Sequence, residues 1–312
     1  MFRIAEEVKD AVHDEKPVVA LETTLVTHGL PAPRGLETAR AAEAAVRKAG
    51  AVPATVGVLD GEVVVGLSDT ELEKLAKLGM KAVKASARDL GALAATKRAG
   101  STTVSGTLVA ALRAGVRLFA TGGLGGVHRD WQKAPDISAD LFTLARTPVA
   151  VVSSGFKSIL DIPATTELLE TWGVPVIGYG TKKLPGFYLR ETDVALEHEV
   201  EDATQAALLL KAHWTELGRP EGVLFANPLA AKSALAAKDV EPAIAEAVAA
   251  ATKEGVKGKA LTPFLLDLVV AKLGDKAIDA NVALILANAK VAAEIAVAFA
   301  GGKVAERRRV GY

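Results

Sequence analysis

The chain has 312 residues, of which 50% are hydrophobic and 24% charged, and it contains no cysteine. That length suits one large α/β domain or two smaller ones with a substantial core. Lys+Arg and Asp+Glu both number 37, so no global basic field points to nucleic acid. Without thiols there are no disulfides, and any metal must sit on oxygen or histidine.

The N-terminal MFRIAEEVKDAVHDEKP lacks the apolar core of a signal peptide. Even the apolar stretch 283–300 carries Lys290 and Glu294, so no uncharged membrane-spanning run is present. A soluble, cytoplasmic protein is expected, with neither membrane nor nucleic acid as partner.

Residues 4–14 form an amphipathic pattern ahead of a predicted strand over 17–21, which runs into Glu22 and the turn-rich THGLPAP. A helix follows, RGLETARAAEAAVRKAG, stopped by Gly50. Residues 51–67 read as two β runs joined at Asp60-Gly61, a hairpin signal, and Ser68-Asp69 cap a helix through Leu78. A short strand near 81–86 leads to the helix ARDLGALAATKRAG. The polar STTVSGT precedes the helix LVAALRAG, and the strand VRLFATGG comes next. Further strands are expected near 149, 174 and 222, with helices between. Residues 182–201 are expected to form a loop or small hairpin over the site. After 229 the pattern is helical, over about 239–255, 262–273 and 278–299. Strand–helix repetition of this kind predicts an α/β/α sandwich, with a mostly parallel central sheet flanked by helices and a helical C-terminal portion. No linker composition appears, so one domain over 1–312 is expected, with 306–312 a flexible tail.

Parallel sheets collect ligands at the carboxyl ends of their strands, and the polar clusters fall there. Lys157, in PVAVVSSGFKSIL, follows an apolar run and precedes a helical pattern with Ser158 as a possible cap. A lysine between a dry strand and a helix N-terminus should lose proton affinity and gain nucleophilicity, unless it is simply solvated. Glu22, just past a strand, is either a proton donor with raised pKa or a turn carboxylate. His28 is equally well a structural loop histidine. Lys84 in VKASARDL lies within a strand, which requires a partner, a ligand or an open edge. Residues 122–126 hold four glycines in five positions, allowing backbone N–H groups to approach an anion. They match neither the dinucleotide fingerprint nor the Walker loop, so a phosphate or ribose cradle near His128 or Arg129 competes with plain turn-making. Asp136, Ser138 and Asp140 alternate before a helix; they would suit Mg or Mn, or serve as ordinary caps. Asn281 is placed as the opening of the last long helix. Glu197-His198-Glu199 lacks the spacing of a zinc helix, and Ser153-Ser154-Gly155 lacks that of a nucleophile elbow.

The phrases ALETTLVTHGLPAP, PATVGVLDGEVVVGLS, VKASARDL, TGGLGGVHR, DISADL, GFKSILD, ETWGVPVIGYGT, ANP and GKALTPFLL occur in this order. Together they resemble the pseudouridine-5'-phosphate glycosidase family over about residues 5 to 298. The resemblance implies a homotrimeric enzyme (pseudouridylate synthase by its other name, of the hydro-lyase type) with one Mn2+ per subunit. It would reversibly split pseudouridine 5'-phosphate into uracil and ribose 5-phosphate. It also implies Lys157 as the nucleophile that forms an imine with ring-opened ribose, Glu22 as proton donor and Asp140 as proton shuttle. Asp136 would be the metal ligand. Lys84, Val104, Thr121, His128, the segment Ser138, Ala139 and Asp140, and Asn281 would contact substrate.

The chain departs from the family pattern at Arg34-Gly35, Ala87, Asp130, Pro135, Phe156 and Pro163, and Ala87 could weaken an electrostatic contact. Rival readings are an imine-forming aldolase using the same lysine, a non-catalytic sugar-phosphate or nucleotide binder, and a relative specialised to another C-nucleoside phosphate.

Overall fold

A computed structural model describes residues 1–129, 131–132 and 135–301, without the side chain of Lys259. Asp130 and the expected tail 306–312 lie outside the described residues. In chain order the elements begin with β1 (Phe2–Ile4), α1 (Glu6–His13), β2 (Val18–Leu21), a π turn (Leu25–Gly29) and α2 (Arg34–Lys48). Then come β3 (Val52–Leu59), β4 (Glu62–Val65), α3 (Asp69–Leu78), β5 (Val83–Ala85) and α4 (Leu90–Thr96). β6 (Gly100–Thr102), α5 (Val104–Arg113), β7 (Leu118–Ala120), α6 (Ala139–Leu144) and β8 (Ala150–Ser153) follow. The chain continues through α7 (Ile162–Thr171), β9 (Val176–Tyr179), β10 (His198–Val200), α8 (Ala203–Lys211) and β11 (Val223–Ala226). It ends in α9 (Ala237–Glu254), α10 (Leu261–Leu273) and α11 (Asp275–Gly301).

All the strands belong to one sheet of order β1-β4-β3-β2-β7-β8-β11-β9-β10, with β6 attached to β3 and β5 to β6. Only β3–β4 and β3–β6 are antiparallel among the described pairs. Helices flank it, as the alternating sequence predicts: α11 lies on β2, β7 and β8 with α2 and α8 beside it, and α5 lies on β2, β3 and β4 with α6 beside it. The central strands are dry on both faces, as β2 and β8 show, being buried along their whole length. Each fully buried valine or leucine in them stabilises the fold by roughly 1.5–3 kcal/mol relative to exposure.

The Asp60-Gly61 hairpin forms as expected, with both residues at positive φ, 51° and 77°. Ser68 caps α3 in a reciprocal capping box with Glu71.

Three short strands are additions to the expected set. β6 reads Gly-Ser-Thr, with no apolar alternation. Its burial is supported instead by hydroxyls: Thr102 Oγ1 and Thr23 Oγ1 both donate to the Val56 carbonyl at 2.7 Å, and Thr107 donates to Thr102 at 3.0 Å. α5 therefore starts at Val104, earlier than its apolar pattern indicates. β1 pairs with β4, and β10 pairs in parallel with β9.

The segment before β10 contains the expected small hairpin, with Lys183 bridging Ala195 in antiparallel fashion and Leu196 N donating to the Lys182 carbonyl at 2.9 Å, and it is packed into the fold. Leu184, Phe187 and Tyr188 are buried, and Phe187 N donates to the Ser154 carbonyl at 2.9 Å. Gly155, at φ 76°, has room for this approach only because it lacks a Cβ, which would sit 2.0 Å from the Pro185 carbonyl oxygen.

By length and composition α11 could cross a membrane, yet half of its most apolar window is buried within the fold. Asn288, fully buried on it, donates to the Thr121 carbonyl at 2.8 Å and accepts from Asn227 Nδ2 at 2.9 Å. This amide ties α11 to the ends of β7 and β11.

Candidate active site

The carboxyl ends of β2 and β7 face a two-lobed cleft. One lobe, about 540 Å³, is lined by Glu22, His28, Thr121, Lys157 and Asn281 with apolar walls from Leu25, Phe187 and Leu266. The other, about 810 Å³, is lined by Arg88, Val104, His128, Asp136, Ser138, Ala139 and Asp140. Glu22, Lys84, Lys157, Thr24 and Thr262 border both. Every site residue expected from the sequence thus lines one continuous cleft, although the chain separates them by up to 259 positions, from Glu22 to Asn281.

Glu22 is held by register. Leu21 pairs with Ala120, so Glu22 and Thr121 are the next residues on adjacent strands, and Thr121 Oγ1 donates to Glu22 Oε1. Burial pushes the Glu22 carboxyl above the usual carboxylate range, and Asp140 pushes it the same way. The charge of Lys157, the Thr121 hydroxyl and Lys84 oppose the rise. A carboxyl so placed holds its proton to higher pH, as a proton donor requires.

Lys157 requires a correction. The helix after it begins at Ile162 with Asp161 as its cap, Oδ1 accepting from Ala164 N at 3.0 Å. Ser158 is no cap; its hydroxyl donates to the Gly186 carbonyl at 2.7 Å. Lys157 is therefore not on a first helical turn, and the dipole of α7 does not account for its reactivity. Its position comes from the sheet: Lys157 N donates to the Leu124 carbonyl at 3.1 Å and Leu124 N to the Gly155 carbonyl at 3.1 Å, extending the β7–β8 pairing beyond the strands.

Within and just after the glycine run, four amides are already engaged. The amides of Leu124, Gly125, Val127 and His128 donate within the protein, to Gly155 O, Asp140 Oδ2, Thr165 Oγ1 and Asp136 O. The glycines serve close packing: a Cβ on Gly125 would lie 2.4 Å from Ser138 Oγ, and one on Gly123 2.6 Å from the Phe187 ring. Cationic groups for an anion are supplied by Lys84, Arg88 and Lys157 around the second lobe.

Asp140 and Asp136 both line the second lobe, but not from one helix, because α6 begins too late to include Asp136. α6 begins at Ala139 with Ser138 as cap, and Asp140 turns inward to accept from Ser105 N at 2.9 Å and Gly125 N at 3.0 Å. Asp136 remains in the loop before it. Among the described residues no group of three or more His, Asp or Glu is arranged to hold a metal. One carboxylate at Asp136 fits only a divalent ion that keeps most of its waters, as Mg and Mn do.

Lys84 lies on β5, an edge strand as the open alternative had it, but its side chain borders the cleft. Val104 is the first residue of α5. His128 is buried, Nε2 facing Thr262 Oγ1 at 3.3 Å, and burial holds its pKa below the ordinary imidazole value, with Asp136 opposing. Asn281 is not a helix-opening cap: α11 starts at Asp275, and Asn281 sits in its second turn. Sequence reasoning missed Asn288 and Asn227; a lone Asn in an apolar helix, seven residues after Asn281, was the available signal. Of the departures from the family pattern, Arg34 pairs with Asp279 at 2.5 Å, close to Asn281. Ala87 N donates to Ser105 Oγ at 3.2 Å.

Comparison with known proteins places this geometry. The family described as Indigoidine synthase A like protein matches residues 7–298. A pseudouridine-5'-phosphate glycosidase of Caldanaerobacter subterraneus subsp. tengcongensis is 47% identical, covering 94% of this chain and 95% of its own length. One of Sorangium cellulosum is 49% identical, covering 95% and 92%. The crystal structure of the prealnumycin C-glycosynthase AlnA in complex with ribulose 5-phosphate superposes with a TM-score of 0.88 at 42% identity, covering 96% of this chain and 97% of that one. An indigoidine synthase A-like protein of Thermotoga maritima gives 0.87 at 32% identity, covering 96% and 97%.

Proposed function

We propose that this chain, which belongs to the indigoidine synthase A like family and within it to the pseudouridine-5'-phosphate glycosidases, reversibly cleaves the C–C glycosidic bond of pseudouridine 5'-phosphate to uracil and ribose 5-phosphate. The observation that carries this reading is the pairing of an amine with an acid: Lys157 and Glu22 border both lobes of one cleft, and Glu22 feels the Lys157 charge while burial favours its protonated form.

A C-glycoside has no leaving oxygen to protonate, so the two-carboxylate arrangement used on acetals is insufficient. Lys157 Nζ bonds to C1' as the C1'–O4' bond opens and O4' takes a proton. Glu22 protonates uracil C5. The C1'–C5 electron pair returns to the ring while the nitrogen lone pair forms the C1'=N bond. Water then hydrolyses the imine, releasing ribose 5-phosphate and restoring the amine.

The apolar lobe with Asn281 suits the flat base, and the lobe bordered by Lys84 and Arg88 suits the phosphate. Holding the phosphate lets remote binding energy position C1'. Asp140, fixed by two amides, serves as the shuttle that carries the proton to and from O4'. Asp136 would hold a hydrated Mn2+, which when bound supplies positive charge beside the sugar-phosphate lobe. A homotrimer and the lyase type of the reaction belong to the same proposal.

The test is synthesis: enzyme, uracil, ribose 5-phosphate and Mn2+ should yield pseudouridine 5'-phosphate. A folded preparation that makes none, or that gives carbonyl products irrespective of uracil, contradicts the reading.

A further inference from the structure

His28 is a cleft residue whose chemistry the reaction above does not use. It stands on the π turn Leu25–Gly29 and lines the lobe that holds Asn281. Its ring is anchored on one side only. Nδ1 lies 2.6 Å from Thr27 Oγ1 and 3.3 Å from Ser101 Oγ, and those two hydroxyls are 2.5 Å apart. Thr27 and Ser101 are buried, so both hydroxyl hydrogens must be used inside this triangle. A separation of 2.6 Å is short for N–H···O. The arrangement that satisfies the triangle has Ser101 donating to Thr27 Oγ1 and Thr27 donating to Nδ1. This assignment puts the ring hydrogen on Nε2.

Nε2 has no protein partner among the described residues, although the ring lies in a cleft wall. Burial and the charge of Lys84 both hold the imidazole pKa below its ordinary value, so the ring is neutral at pH 7. The site thus offers one fixed, uncharged N–H donor in the lobe that Asn281 also lines. A pyrimidine with ring carbonyls supplies the matching acceptor.

We infer that His28 is a specificity residue for the base, donating from Nε2 to a ring carbonyl oxygen of uracil in a tautomer set by Thr27 and Ser101. The inference rests on the glycosidase reading above and deepens it.

Steady-state synthesis from uracil and ribose 5-phosphate tests it in wild type, His28→Asn and His28→Gln. Borohydride labelling of each protein by ribose 5-phosphate alone serves as a base-independent control. The side-chain nitrogen of Gln reaches the position of Nε2, whereas that of Asn reaches only Nδ1. The His28→Asn enzyme should raise KM for uracil about tenfold, the effect of one lost hydrogen bond, with KM for ribose 5-phosphate and the labelling unchanged. His28→Gln should stay within about threefold of wild type for uracil, because its donor is retained. An unchanged uracil KM in His28→Asn overturns the inference. So does a fall in ribose 5-phosphate labelling in step with uracil affinity, or equal impairment of the two variants. A wild type that makes no product overturns the functional reading as well, and that outcome is distinct from normal turnover indifferent to His28.

Discussion

The hydroxyl of Thr121 donates to Oε1 of Glu22 across the neighbouring ends of β7 and β2. This contact favours the ionised carboxylate, while burial favours the acid more strongly, and the net direction is upward. In cleavage Glu22 must be protonated, so the rate falls as pH rises through its raised pKa. Replacing Thr121 by Val removes the opposing bond and should move that basic limb to higher pH. The pH dependence of kcat, compared between the two enzymes, checks the sign; a shift to lower pH would contradict it.

Glu22→Gln keeps the volume and removes the proton. The kcat for cleavage should drop about 10²–10⁴-fold, while uracil-independent labelling by ribose 5-phosphate persists. Comparison of the two readouts separates loss of the acid from loss of the fold.

How far the site was legible depends on what each signal reported. The apolar run before Lys157 marked a buried strand correctly, because a strand dry on both faces has few alternatives. The helix after it starts at Ile162 and not at Ser158, which resembles a cap in sequence; Asp161 followed by Pro163 in the first turn is the better signal. Asn281 was misplaced in the same way, six residues inside a helix opened by Asp275. β6 carries no hydrophobic pattern, and its burial depends on hydrogen bonds to the Thr23 and Thr107 hydroxyls and the Val56 carbonyl. The glycines at 122–126 mark a special turn in the sequence, and close side-chain approach accounts for Gly123 and Gly125. Convergence of the eleven candidate residues on one cleft is a tertiary property, and the ordered family phrases were its only trace in one dimension.

Gly125→Ala tests the packing account of that turn. The new Cβ would lie 2.9 Å from Asp140 Oδ2 as well as 2.4 Å from Ser138 Oγ, displacing the start of α6. A loss of about 10²-fold in kcat/KM is expected from a shift of this order. Thermal unfolding and activity measured together should show the catalytic loss exceeding the stability loss.

Asn288→Ala leaves the Thr121 carbonyl and the Asn227 amide without their partner in a dry interior. Denaturant unfolding should show a loss of about 1–3 kcal/mol. An unchanged midpoint would mean that α11 is seated by apolar contact alone.

Asp136→Asn should weaken Mn2+ binding, read by titration of the ion, with little change in unfolding midpoint, because its carboxylate borders the cleft rather than the core. Equal Mn2+ affinity in the variant would place the ion elsewhere.

The proposed reaction depends on capture of C1' of the sugar phosphate by Lys157. Borohydride reduction in the presence of ribose 5-phosphate, followed by peptide mapping, is the decisive measurement. One adduct is expected, on the peptide carrying Lys157, and none in Lys157→Arg. An adduct on Lys84 instead, or no adduct from an enzyme that turns over, would contradict that capture.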